Sequence, residues 1–155
     1  MNIFFLDKNP VIAASQYCDA HCIKIILESA QMLCAAYPNG QAPYRHTHIN
    51  HPMSKWVRST KGNFDWVLTH ALALCGEYTR RYQKTHKTQA VLEWIKMNPP
   101  SIPSGDFNDP PQCFGDFTSC KSEDFVSSYR KYYQIAKKDI ARWAHSEKPS
   151  WFEKS

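Results

Sequence analysis

Cys18 to Ala36 reads CDAHCIKIILESAQMLCAA. Cys22, Ile23, Ile25, Ile26, Leu27, Ala30, Met32, Leu33 and Cys34 cover nearly the whole circumference of a helix, which predicts a buried helix in an all-α domain. Set into it are His21, Lys24, Glu28 and Gln31, spaced +3, +4 and +3, so they run in one line along the helix. Asp19 lies just before the line. Ionisable groups on a mostly buried helix are costly unless they are paired or face a cleft. Lys24 and Glu28 form an opposite-charge i,i+4 pair, so one reading is a solvent-facing stripe worth a few tenths of a kcal/mol. The other is a carboxylate held beside a His and a Lys in a pocket, a usual acid/base arrangement.

On the N-terminal side, residues 1–8 read as an extended entry segment. Asn9-Pro10 signals a helix start. The helical pattern runs from about Val11 to Ala36, with Asp19 capping a fresh start within it, and Pro38-Asn39-Gly40 ends it. Residues 37–52 form a polar loop, and Met53 to Arg58 a short helix. Asn63 caps a second long helix, Phe64 to about Lys84, and Thr88 to Met97 reads as a third. Residues 98–121 hold five of the ten prolines and form a long irregular connection. A loop of that length points to a functional or lid role. Ser122-Glu123-Asp124 opens the last helix, to about His145, and the aromatic tail Trp151-Phe152 packs back on the body. The whole predicts a compact all-α domain over residues 1–155, with about four helices, an extended N-terminal segment and long irregular loops.

Composition agrees. At 155 residues, 43% of them hydrophobic, the chain is long enough for one domain with a sizeable core. Five glycines argue against a Gly-rich nucleotide-binding sheet. No stretch approaches the roughly 18 apolar residues of a membrane span, so no membrane partner is expected. The start, Met1 to Asp7, lacks the basic lead of a signal peptide. These features predict a cytoplasmic protein, in the host cytoplasm if phage-encoded, and its six cysteines then read as reduced thiols. A net charge of +5 suits an anionic partner such as DNA or a nucleotide.

His46, His48 and His51 lie within six residues, flanked by Arg45 and Asn50. A metal site completed by His21, Asp19 or Cys18 is one reading. The HxHxxH spacing fits no standard zinc pattern, however, so neither metal nor cofactor is expected. In the plainer reading the imidazoles hydrogen-bond a ligand, with the Asn50-His51-Pro52 turn aiming His51 at a pocket. Basic and aromatic residues also alternate at Tyr78 to Lys84 and from Tyr129 to Trp143, a pattern that suits phosphates and bases or a plain amphipathic helix.

Asp19-Ala20-His21 followed by Glu28 reads D-x-H-x6-E. This resembles the first helix of the phage pyrimidine-dimer DNA glycosylases of the endonuclease V type. The ending Lys148-Pro149-Ser150-Trp151-Phe152 is similar to that family's basic-Pro-x-Trp-aromatic tail, and Tyr44 with Asn50-His51-Pro52 resembles a segment of bacterial relatives. The layout also looks like that of small phage proteins of unassigned function. The resemblance covers the first helix, one loop and the tail. It implies an all-helical fold whose N-terminal segment threads between helices. It implies a glycosylase and abasic-site lyase mechanism in which the α-amine attacks the deoxyribose C1′. α-Amines as a class titrate near pH 8, so a usable fraction is neutral at pH 7.

In this chain Glu28 is then the carboxylate, His21 the orienting group and Met1 the source of the amine. Asn2 is bulky enough for Met1 to be retained. Two arginines that hold phosphate in the family correspond to Leu27 and Gln31. The expected substrate is a modified or damaged base in DNA or a nucleotide, bound by Asp19, Lys24, Gln31, Arg45, His46, His48, Asn50 and His51. The competing expectation is a non-catalytic phage-type protein that binds or sequesters a nucleotide or nucleic acid.

Overall fold

Three of the helices begin where the sequence supplies a side-chain cap. Asn9 caps α1 (Pro10–Ser15) by accepting the Val11 and Ile12 N–H groups. His51 caps α3 (Pro52–Val57) through Nδ1, which accepts the Met53 N–H at 3.1 Å. Thr60 caps α4 (Lys61–Tyr82) by accepting the Asn63 N–H at 3.1 Å. α2 (Asp19–Cys34), α5 (Gln89–Met97) and α6 (Phe125–Ala136) complete the set with a 3-10 turn at Thr118–Cys120. This computed structural model describes residues 1–153 and, across them, is an all-α domain. No described helix is long and apolar enough to cross a membrane.

Three sequence boundaries are corrected. The pattern from Val11 to Ala36 is two helices, broken at Gln16–Cys18; the fresh start expected at Asp19 is there, but Cys18 holds the cap position and Asp19 is the first helical residue. The break turns Tyr17 fully inward, where its hydroxyl donates to the Phe4 carbonyl at 2.9 Å and accepts the Phe4 N–H at 2.7 Å. Asn63 is not the cap of α4. It is fully buried, donates to the Trp56 carbonyl and accepts the Asn108 N–H at 3.0 Å, tying the proline-rich loop to α4. The last helix stops at Ala136 rather than near His145. There the chain doubles back, Ala141 enters the core, and the Arg142 carbonyl accepts the Asp19 N–H at 2.8 Å.

α2 is also less enclosed than its composition predicts: Ile23 and Leu27 are 44% and 42% exposed. Its inner face packs on α4. The junction of α1 and α2 is held by Arg81 of α4, whose guanidinium donates to the Tyr17 carbonyl at 2.7 Å and to Asp19 at 3.2 Å.

The extended N-terminal segment runs through the middle of the protein. Ile3, Phe4, Phe5 and Leu6 are buried. Phe4 stacks on His21 and meets Tyr133 edge-on, and Phe5 packs against Trp56, Trp66 and Tyr129. A buried extended segment outside any sheet must satisfy its backbone by other means. Side chains do this here. Tyr17 serves both polar groups of Phe4, and Arg130 donates to the Leu6 carbonyl at 2.8 Å.

The 98–121 connection is pinned, not loose. Trp56 donates to Asn108, and Tyr129 donates to the Pro111 carbonyl at 2.6 Å. Gly62 is required where the loop crosses α4, because a Cβ there would collide with the backbone of Asp106 and Phe107. The tail packs back as expected: Phe152 is 1% exposed against Trp143, and Arg130 lies over the Trp151 ring. All six cysteines are unpaired, and five are buried.

Candidate functional site

The threaded N-terminus delivers the chain's first amine to the middle of α2. The Met1 nitrogen lies 3.4 Å from Glu28 Oε1, and the Asn2 N–H donates to the same oxygen at 3.0 Å. Asn2 fixes this end. Its amide nitrogen donates to the Cys113 carbonyl at 2.9 Å, and its amide oxygen accepts the Ile3 N–H at 2.9 Å. Lys24 Nζ lies 3.6 Å from the other carboxylate oxygen, on a side chain that is 70% exposed.

Helix geometry explains this sorting. At about 100° per residue, seven positions bring Glu28 to within about 20° of His21, whereas Lys24 is turned by about 60° and Gln31 by about 80°. The line of four is therefore two inward groups, one rim lysine and one half-buried glutamine. His21 and Glu28 are 4% and 9% exposed.

His21 is held on two sides. Its ring stacks on Phe4, with centroids 4.3 Å apart and planes 7° apart. Its Nδ1 lies 2.8 Å from the Tyr133 hydroxyl, which also accepts the Cys18 N–H at 3.1 Å. With Cys18 Sγ at 3.2 Å, the imidazole nitrogen is the better acceptor for the single Tyr133 proton. That assigns the His21 proton to Nε2. Burial, then repulsion from Lys137 and Lys24, push the His21 pKa down to about 3, so the ring is neutral near pH 7.

These groups open on a cavity of about 610 Å³. Of the residues singled out in the sequence, Met1, His21, Lys24, Glu28 and His51 line it. Burial, and next the ammonium of Met1, hold His51 below its ordinary pKa. The others lie elsewhere. Asp19 pairs with buried Arg81 and accepts the Ala144 N–H at 2.7 Å, which is a structural role. Gln31 does not reach the cavity, and Arg45, His48 and Asn50 are exposed away from it. His46 Nε2 lies 2.6 Å from the Tyr37 carbonyl. The three loop histidines thus do not converge, and no three His, Cys, Asp or Glu side chains gather as a metal-binding group among the described residues.

Sequence reasoning missed the opposite wall. It comprises Asn2, the 111–115 segment, Lys121, Tyr132 and Lys137. The irregular length of the proline-rich loop was a signal for the first part. Lys137 stood out only as one of many basic residues.

The site sets an amine beside a buried carboxylate, with a neutral imidazole on the same helix face. An amine is a nucleophile toward sugar or carbonyl carbon, and the carboxylate can take up its proton or stabilise a cation formed nearby. Comparison with protein-family models, with curated proteins and with solved structures finds no match for the chain.

Proposed function

We propose that the protein is an N-glycosylase with abasic-site lyase chemistry, acting on a modified or damaged base in DNA or on a nucleotide. The observation that carries this reading is the 3.4 Å approach of the Met1 amine to Glu28 Oε1 at the cavity wall. A chain-terminal amine is ordinarily left in solvent. Here four buried residues, Ile3 to Leu6, lead it to a carboxylate that is 9% exposed. The D-x-H-x6-E spacing and the closing tail, which resemble the phage pyrimidine-dimer glycosylases, support the same reading.

In this reading the neutral amine attacks the deoxyribose C1′. The glycosidic bond breaks, its electron pair leaves with the base, and the base takes up a proton. The nitrogen, now carrying two protons and a positive charge, gives one of them to O4′ as the C1′–O4′ bond breaks and the ring opens, which leaves a protonated Schiff base at C1′. Glu28 stabilises the cationic sugar and accepts the C2′ proton as the 3′ phosphate departs. Water then hydrolyses the imine and returns the amine. Because the Asn2 N–H already sits on the same carboxylate oxygen, loss of Met1 leaves the next amine in the same place.

Chromatography of reactions with damaged or modified oligonucleotides and nucleotides tests the proposal. Released base with wild type and none with Glu28→Gln is the expected result. A ligand-dependent rise in melting temperature with no product from any substrate favours a protein that only binds or sequesters the nucleotide.

A further inference from the structure

The cavity holds more positive charge than its chemistry requires. Among the described residues Glu28 is the only carboxylate lining it, whereas Lys24, Lys121, Lys137 and the Met1 amine all do. Glu28 already has Met1 and Lys24 as partners. Lys121 and Lys137 form no ion pair among the described residues. Lys137 lies just past α6, half-buried, with its ammonium 5.3 Å from the Tyr132 ring centroid and 5.9 Å from that of Phe4. Lys121 directly follows the 3-10 turn, is exposed, and lines the same cavity.

We infer that Lys121 and Lys137 form a phosphate subsite, so that the substrate taken by this cavity is a deoxyribose phosphate unit held by its phosphate while C1′ faces the amine and Glu28. The inference rests on the glycosylase reading and adds to it the group that positions the sugar. Both lysines line the same cavity without an acidic partner among the described residues, and a bound phosphate dianion supplies the charge-assisted acceptors that they lack. Burial, and then the neighbouring Lys24, lower the Lys137 pKa. The aromatic rings beneath Lys137 limit its side-chain freedom, so less entropy is lost on binding.

The shared chemistry is a phosphate on deoxyribose, supplied either by a free nucleotide or by a DNA strand. Isothermal titration of the full chain with 2-deoxyribose 5-phosphate, 2-deoxyribose and a short single-stranded oligodeoxynucleotide tests the inference. The sugar phosphate is expected to bind at least tenfold more tightly than the sugar. Lys137→Met and Lys121→Met, which keep the apolar stem, are each expected to weaken it fivefold or more at unchanged melting temperature. The oligonucleotide binding more tightly than the sugar phosphate, with the same lysine dependence, identifies a strand; weaker binding identifies the free nucleotide. Equal affinity for sugar and sugar phosphate, or affinity unaltered in both variants, overturns the inference. No turnover is read in these titrations. Loss of the phosphate preference with base release intact therefore removes only the subsite, and a phosphate preference without base release removes only the glycosylase reading.

Discussion

Glu28 Oε1 stands 3.4 Å from the α-amine of Met1 while it accepts the N–H of Asn2. Two consecutive backbone nitrogens thus share one oxygen of a nearly enclosed carboxylate. The arrangement depends on the whole N-terminal segment, because nothing local to Met1 or Glu28 brings together residues so far apart in the chain. Burial of Ile3, Phe4, Phe5 and Leu6 fixes the segment, and the clamp of Asn2 onto Cys113 fixes its tip.

Glu28→Gln keeps the acceptor for the Asn2 N–H but removes the charge and the base. Base release should fall by about 10²–10⁴-fold, the usual scale for a positioned acid/base group. Far-ultraviolet circular dichroism should be unchanged. A variant that retains wild-type rates would show that the carboxylate only anchors the N-terminus.

Tyr133→Phe removes the hydroxyl that joins Cys18 and His21. It leaves the Cys18 N–H buried without that partner, at a cost of about 1–3 kcal/mol. Urea unfolding should show that loss, and turnover should drop as His21 gains freedom. Because His21 is pushed down to about 3 by burial, Tyr133→Phe should not introduce a new ionisation between pH 6 and 8 in the rate profile.

His70 gives the clearest pH signature. It is fully buried between Tyr17 and Trp66, neither ring nitrogen has a hydrogen-bond partner among the described residues, and burial pushes its pKa down to about 3. The unfolded value is about 6.5, so the folded state binds the proton less well. Stability is therefore fully present above about pH 6.5 and is lost as pH falls toward 3. Each such histidine adds a slope of up to about 1.4 kcal/mol per pH unit in that window. His70→Phe should flatten the acid side of the melting curve and raise the melting temperature more at pH 5 than at pH 8. An unchanged acid slope would exclude His70 as its source.

Arg81→Met tests the junction of α1 and α2. The Arg81 side chain is 0% exposed and joins Tyr17, Asp19 and Glu77. Its loss leaves Asp19 without its buried partner and should cost about 3–5 kcal/mol in urea unfolding. Base release at a temperature where the variant is folded should stay near wild type, since none of these groups lines the cavity.

Much of this was legible in the sequence where the signal was local. The helix period of α2 placed His21 and Glu28 on one face, and proline and asparagine marked the start of α1. The pairing of Glu28 with the N-terminus came from resemblance, because spacing along one helix carries no information about a distant chain end. Lys121 and Lys137 could not be paired from sequence, since the fold alone brings a loop lysine and a post-helix lysine to one cavity. The loop histidines misled for the reverse reason. His46, His48 and His51 are close in the chain, but His48 adopts a left-handed φ of 51° and the backbone sends the three side chains to different places.

Borohydride trapping tests the central claim most directly. The intact protein is incubated with an oligonucleotide carrying an abasic site and reduced, and the adduct is located by peptide mass spectrometry. The account predicts a covalent sugar adduct on the α-amine of the first residue, with Glu28→Gln altering its yield or its onward cleavage. No adduct, or an adduct confined to lysine side chains, would contradict it.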